Sequence, residues 1–351
     1  MRYTTFGRRT GLRVSQYALG TGNFGTGWGA GAEKDEAKKI FDRFLEAGGN
    51  FIDSADTYQA GQSEELLGEF IQADRDDLVL ATKFTVGARP DRKLSRTGNS
   101  RKNLRTSVEE SLQRLNTEYI DVLWVHYPDA LTPVDELLRG LDDLVTQGKI
   151  LYAAFSNFPA WRVSRAAALA DLSGWAPVTG IQVEYSLVER TADRELLPMA
   201  EALGLGVTLW SPLGGGLLTG KYRQSRQGRL TDLKTLVHTE STDQKAAAVD
   251  AVLAIANEVG RPPAQVATAW VSERSRRLAT SSVPIIGPRS LAQLDDYLGA
   301  LELELSADQY DHLTQVSAVP LGIPHEANAA SLNGLQGGVM ARLDGPVVPV
   351  A

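Results

Sequence analysis

KDEAKKIFDRFLEAGGNFIDSADTY, residues 34 to 58, passes from a helical pattern to a strand and on to a polar loop. Ile40, Phe41, Phe44 and Leu45 recur at the spacing that puts apolar side chains on one helix face. Gly48-Gly49 is a helix stop, and NFID at 50 to 53 follows at once as a short strand. A helix that feeds a strand through two glycines belongs to a βαβ unit, so the fold depends on how often the chain repeats it.

It repeats along most of the sequence. Strand-like runs stand at YALG (17 to 20), NFID, LVLAT (78 to 82), IDVLWVH (120 to 126), ILYAAFS (150 to 156), VTGIQV (178 to 183), GVTLW (206 to 210) and VPIIG (283 to 287). Amphipathic helical stretches fill most gaps, among them SEELLGEFIQA, RKNLRTSVEESLQRL, PVDELLRGLDDLVTQG, AWRVSRAAALADL and RELLPMAEALG. Eight strands with helical crossovers close most simply as a (β/α)8 TIM barrel, although a doubly wound open sheet uses the same alternation. GTGNFG at 20 to 25 has the spacing of a dinucleotide-binding glycine loop, but no helix follows it promptly, so the match is weak.

Three segments stand outside the repeat. MRYTTFGRRTGLRVS, with turn signals at Gly7 and Thr10-Gly11, reads as a β-hairpin that plugs the barrel floor. Residues 211 to 242 read as a long loop after the seventh strand. From Leu321 the chain shows no helical period and reads as a draped or disordered tail. The expected division is one barrel domain over 1–326, with an extra C-terminal helix, and a tail over 327–351.

Composition narrows the chemistry. The 351 residues are 43% hydrophobic and 23% charged, the balance of a globular chain with a full core. A net charge of −7 argues against a nucleic-acid partner, which calls for clustered Lys and Arg. With no cysteine there is no disulfide, thiolate nucleophile or Cys-ligated zinc, and redox chemistry falls to a bound cofactor. His126, His238, His312 and His325 lack metal-ligand spacing, so no metal is expected. No stretch reaches the roughly 18 apolar residues of a membrane helix, and no signal-peptide core is visible, which points to a cytoplasmic protein without a membrane partner.

In a barrel the reactive groups gather where strands end. There the sequence sets Asp53, Lys83, His126, Ser156, Asn157, Gln182, Glu184, Trp210 and Ser211, with Tyr58 five positions beyond Asp53. Singly, each has a plain reading: Asp53 as a loop cap, Lys83 as a solvated cation, His126 as a hydrogen-bonded core residue. Together they make a proton-transfer group. A phenol is a poor acid at neutral pH, but an adjacent ammonium such as Lys83 stabilises the phenolate and is expected to lower the Tyr58 pKa. Asp53 then holds Lys83, and His126 donates to a carbonyl oxygen. With neither metal nor thiol available, the natural hydride source is a nicotinamide.

FIDSADTYQAGQSEELLG, LATKF, DVLWVHYPD and AFSNF, with the PLGIPHE close, together resemble the aldo-keto reductases in order and spacing from about residue 2 to 326. The resemblance implies a catalytic tetrad of Asp53, Tyr58, Lys83 and His126, with Tyr58 as general acid for reduction and general base for oxidation. It further implies that Ser156, Asn157 and Gln182 bind the nicotinamide carboxamide and that Trp210, where relatives most often carry tyrosine, stacks on the ring. SPLGGGLLTGKY (211 to 222) matches the loop over the pyrophosphate, which brings in Ser211, Leu213, Gly215 and Lys221. IIGPRSLAQLDDYLGA (285 to 300) matches the adenosine end, with Gly287, Arg289 and Gln293 at contact positions. Arg289 is the candidate for a 2′-phosphate, which places NADPH ahead of NADH.

Phe24, Trp28, Phe84 and Tyr127 are the expected substrate-binding aromatics. The resulting expectation is an NADPH-dependent reductase of small-molecule aldehydes or ketones. A sugar-nucleotide keto-reductase of deoxysugar or antibiotic biosynthesis is the alternative, and a cofactor-binding subunit like the channel β-subunits is a third reading. The resemblance fixes no oligomeric state, since the family contains monomers, dimers and larger rings.

Overall fold

The structure, a computed structural model, describes residues 1–88, 93–224 and 238–348. Tyr3–Thr5 (β1) and Arg13–Ser15 (β2) pair antiparallel as a hairpin. Eight parallel strands then follow: β3 (Ala18–Gly20), β4 (Phe51–Asp53), β5 (Val79–Phe84), β6 (Ile120–Val125), β7 (Ile150–Ser156), β8 (Val178–Glu184), β9 (Gly206–Trp210) and β10 (Ser282–Ile286). Each pairs with the next, and β10 pairs back onto β3, so the sheet closes into a barrel. The open-sheet reading is thereby excluded, and the (β/α)8 barrel is the observed fold.

The crossover helices form an outer layer because they carry an apolar stripe. In α1 (Lys34–Glu46) the buried residues are Ala37, Ile40, Phe41 and Phe44, spaced to face the strands. The crossovers after the next strands are α2 (Gln62–Phe70), α3 (Arg101–Leu115), α4 (Val134–Thr146), α5 (Ala160–Ser173) and α6 (Leu196–Leu203). Ser100 caps α3 by accepting the Asn103 amide at 3.3 Å, which satisfies one of the unpaired donors of its first turn.

After β9 the chain forms a 3-10 turn at Gly214–Thr219, the short α7 (Lys221–Gln224), α8 (Asp243–Val259) and α9 (Pro263–Arg276). The stretch read as a loop up to residue 242 therefore starts with ordered turns, while most of RQSRQGRLTDLKTLVHTE lies outside the described residues. α10 (Leu291–Gly299) follows β10, and α11 (Ala307–Val316) opens with a capping box between Ser306 and Gln309. The absence of helical period after Leu321 is corrected by α12 (His325–Leu335), a helix with no buried residue. Small Ala and Ser side chains give it no apolar stripe to read. No helix among the described residues is long and apolar enough to cross a membrane.

Inside the barrel a second core runs through Val14, Ala18, Phe51, Val79, Ala81, Val122, Trp124, Ala154, Val283 and Ile285. Phe6, from the hairpin, enters this core from below, edge-on to Phe51 at 5.8 Å and to Trp124 at 6.1 Å between ring centroids. Gly180 and Gly206, on neighbouring strands, make the room for it. A Cβ at either would lie 2.6 or 2.8 Å from the Phe6 ring. The expected hairpin floor is thus present, with one aromatic ring as its plug.

Candidate active site

Strand alternation carries the core upward into the site. Side chains two residues apart share a face, so the inward set of β4 is Phe51 then Asp53, and that of β5 is Val79, Ala81, then Lys83. In β6 it is Val122, Trp124, then His126 just past the strand end, and in β7 Ala154 then Ser156. Each of these four strands is apolar at the floor and leads to a polar residue at the mouth.

Lys83 Nζ donates to Asp53 Oδ2 at 2.5 Å, to the Ser54 carbonyl at 2.6 Å and to the Tyr58 hydroxyl at 3.2 Å. All three of its donors are used, and the side chain is buried. Burial alone would pull the Lys83 pKa down, but Asp53 and then Tyr58 more than offset this and hold it above its ordinary value. Lys83 is a fixed cation beneath the phenol.

The expectation that Lys83 lowers the Tyr58 pKa is corrected in its net sign. Burial pushes the Tyr58 phenol upward by more than the Lys83 charge pulls it down, and the Asp53 carboxylate adds to the rise. Tyr58 is therefore protonated throughout the physiological range. His126 moves the other way: burial, then the Lys83 charge, hold its pKa well below 6.5. It is a neutral imidazole stacked on Tyr127, with centroids 4.5 Å apart, and its Nδ1 has no hydrogen-bond partner among the described residues.

Tyr58 stands on a tight turn, its amide donating to the Ala55 carbonyl at 3.0 Å. The Asp56 amide in that turn donates to the Lys83 carbonyl at 3.0 Å, tying the loop to β5. The Asp56 carboxyl is buried, and neither oxygen has a well-aligned partner among the described residues. Burial, reinforced by Glu64, raises it to about 8, which Arg114 and the facing Gly87 and Thr57 amides only partly oppose.

These groups open into a cavity of about 750 Å³. Its lining includes Asp53, Tyr58 and His126, and of the expected cofactor residues Ser156, Asn157, Gln182, Trp210, Ser211, Leu213, Gly215, Lys221, Gly287, Arg289 and Gln293. Trp28 and Tyr127 line it too, at 40% and 44% exposure. Phe24 and Phe84 do not, and their reading as substrate aromatics is corrected. Phe24 is fully buried against Phe70, with ring centroids 6.4 Å apart, and Phe84 faces the helical layer because its strand neighbour Lys83 faces the mouth.

Asn23, Gly22, Thr57 and Gly216 also line the cavity without having been expected from the sequence, and Asp296 and Tyr297, from the stretch matched to the adenosine end, line it as well. Asn23 lies in the glycine-rich GTGNFG stretch, and its side chain donates to the Gly287 carbonyl at 2.8 Å, which joins the ends of β3 and β10. That glycine spacing was the available signal.

Several amide side chains are engaged within the protein. Gln182 Nε2 donates to Asp53 Oδ1 at 2.9 Å. Asn157 Nδ2 donates to the His126 carbonyl at 3.1 Å, while its Oδ1 accepts Trp210 Nε1 at 3.3 Å. Asn157 and Ser211 both have left-handed φ, 59° and 61°, a conformation that non-glycine residues rarely adopt. The indole of Trp210 is thus held at the mouth. The donor set fits a nicotinamide dinucleotide: an indole for a ring, amides for a carboxamide, and Lys221 and Arg289 beside glycines for phosphates. No cluster of residues suited to a metal occurs among the described residues.

The chain is similar to known proteins along most of its length. A profile of the Aldo/keto reductase family matches residues 17–318. A norsolorinic acid reductase of Aspergillus flavus is 37% identical over 326 residues, spanning 90% of this chain and 80% of the relative. An oxidoreductase of Bacillus subtilis is 36% identical, over 94% of this chain and 100% of its own length. An aryl-alcohol dehydrogenase of Pestalotiopsis microspora is 33% identical, over 90% and 82%.

Proposed function

This chain belongs to the aldo/keto reductase family of oxidoreductases, and on that premise we propose that it is an NADPH-dependent reductase of aromatic aldehydes or ketones, with Tyr58 as general acid. The observation that carries the reading is the phenol of Tyr58, protonated and 3.2 Å from the fixed Lys83 ammonium, at the mouth of the cavity that His126 also lines.

A nicotinamide held at Ser156, Asn157, Gln182 and Trp210 would supply the hydride for a carbonyl carbon. Tyr58 hands its proton to the carbonyl oxygen, and the phenolate left behind is met by Lys83, whose charge Asp53 holds in place. His126, neutral and lining the same cavity, would donate a second hydrogen bond to the same oxygen. In the oxidative direction Tyr58 takes the proton back from the alcohol. Asp53 touches no substrate in this scheme and acts through Lys83.

Ser156, Asn157, Gln182 and Trp210 would seat the nicotinamide, Ser211, Leu213, Gly215 and Lys221 the pyrophosphate, and Gly287, Arg289 and Gln293 the adenosine end. The Gln293 side chain already accepts the Arg289 amide at 2.8 Å, which fixes the backbone of that corner. The aromatic substrate class rests on the indole of Trp28 and the phenol of Tyr127 at the rim, and on the relative named as an aryl-alcohol dehydrogenase. We take residues 1–326 as the working domain and 327–351 as an appended tail.

The test is consumption of NADPH with an aromatic aldehyde, followed by loss of nicotinamide absorbance. Turnover by the native chain and its absence in Tyr58→Phe supports the reading. Cofactor binding without turnover on any carbonyl of a broad panel would sink it and leave a binding subunit.

A further inference from the structure

We propose that Gln59 is a positioning residue for the substrate side of the site, clamping residues 22–32 onto the chain that carries Tyr58 so that Gly22 and Trp28 frame the phenol. The inference rests on the function proposed above for its kinetic arm alone.

Gln59 directly follows Tyr58 and is 1% exposed. Its backbone is left-handed, with φ 51° and ψ 35°, and Ala60 repeats this at φ 57°. A non-glycine residue pays in strain for such a conformation and persists where its surroundings over-determine it. The side chain shows what holds it. Nε2 donates to the Gly22 carbonyl and to the Ala30 carbonyl, both at 3.0 Å, and Oε1 accepts the Trp28 amide at 2.9 Å. Both N–H groups and the oxygen are spent on the start, middle and end of one loop.

The loop lies flat on this clamp. A Cβ at Gly27 would come within 2.2 Å of the Gln59 carbonyl oxygen, so only glycine permits the approach. Gln62, in the first turn of α2, adds a second tie by accepting the Thr26 amide at 2.9 Å. What the loop presents to the site follows from these bonds. Gly22 faces the Tyr58 ring so closely that a Cβ added there would already be in van der Waals contact with it, at 3.7 Å. The Trp28 indole stands edge-on to the same ring, with centroids 6.1 Å apart and planes at 82°. Gln59 therefore sets the width of the opening above the phenol, and with it which carbonyl compounds approach the proton.

The experiment compares the full chain with Gln59→Met, which keeps the bulk and removes three hydrogen bonds, and with Trp28→Ala. Hydrogen exchange of the amides of residues 26–32 is expected to lose about tenfold or more of its protection in Gln59→Met, while β5 and β6 keep theirs. With NADPH, the ratio of kcat/KM for a bulky aromatic aldehyde over that for a small aliphatic aldehyde is expected to shift about tenfold in both variants. The double variant should add little to Trp28→Ala, because both act on one element.

Unchanged exchange in residues 26–32, or an equal loss on both aldehydes, would overturn the proposal. Should Gln59→Met not fold, an unchanged ratio in Trp28→Ala, a half-exposed side chain, overturns it equally. If the native chain turns over no carbonyl compound, the functional reading fails while the exchange measurement still decides the clamp.

Discussion

Gln182 on β8 donates its side-chain amide to Asp53 on β4 at 2.9 Å, and the two strands lie four places apart around the closed sheet. Lys83 takes the other carboxylate oxygen at 2.5 Å. Asp53 is thereby occupied on both sides and cannot turn toward a substrate. Its service is to hold a cation, and Gln182 joins opposite walls of the mouth in doing so.

Replacing Gln182 by Leu removes a hydrogen bond to a charged group, worth about 1.5–3 kcal/mol. Thermal unfolding should register a loss of that order, and turnover should fall as Asp53 gains freedom. An unfolding midpoint equal to that of the native chain would count against the role given to this bond.

Asp53→Asn leaves the buried Lys83 ammonium without its counter-charge. Breaking such a pair from one side costs about 3–5 kcal/mol, while removing both charges costs less. Asp53→Asn should therefore be less stable in urea than the double variant with Lys83→Met. Equal or reversed stabilities would show that the pair is not a closed buried unit.

Tyr58→Phe keeps the ring against Gly22 and Trp28 and removes the proton. Carbonyl reduction should drop by about 10²–10⁴-fold, the usual worth of a positioned acid. NADPH affinity, read by fluorescence titration, should change little. A variant that retains activity would assign the proton to another group.

Asp56 predicts a pH dependence of stability. Its folded-state pKa, raised to about 8, stands above the ordinary value of 3.8, so the native chain binds the extra proton between these limits. The contribution is fully present below about pH 4 and is lost as pH rises toward 8, by up to about 1.4 kcal/mol per unit. Asp56→Asn carries no such proton, so its advantage in unfolding midpoint should grow from pH 5 to pH 8. A constant difference across that range would remove the titration from Asp56.

Arg289→Ala tests the cofactor. If its guanidinium meets a 2′-phosphate, the variant should weaken NADPH binding by about 1.5–3 kcal/mol and leave NADH nearly unaffected. Equal losses for the two cofactors would assign Arg289 a structural part.

Much of this site was visible in the sequence because strand alternation is strict. Asp53, Lys83, His126 and Ser156 each end an inward-facing apolar series, so polarity at strand ends pointed to the mouth. The same rule assigns Phe84 outward, as neighbour of an inward lysine. Phe24 could not be placed that way, because a loop residue has no period and its burial depends on Phe70 from a later helix. The rise in the Tyr58 pKa was hidden for a related reason: charge is legible in a sequence, while desolvation is a property of the packed whole. Nothing in the string TYQAG announces two left-handed residues, so the clamp at Gln59 appeared only with the backbone.

The ring of Phe6 has a consequence in time. Its seat is cut by Gly180 and Gly206, which are synthesised long after it, and by Phe51 and Trp124 between. A contact of such sequence separation carries a large loop-closure cost and comes late in folding. The first hairpin of the chain should thus be among the last pieces to dock, sealing a barrel whose middle strands are already joined. Pulse-labelled exchange during refolding should find β5, β6 and β7 protected before Phe6 and Gly7. The reverse order would mean that the plug is a template on which the strands assemble.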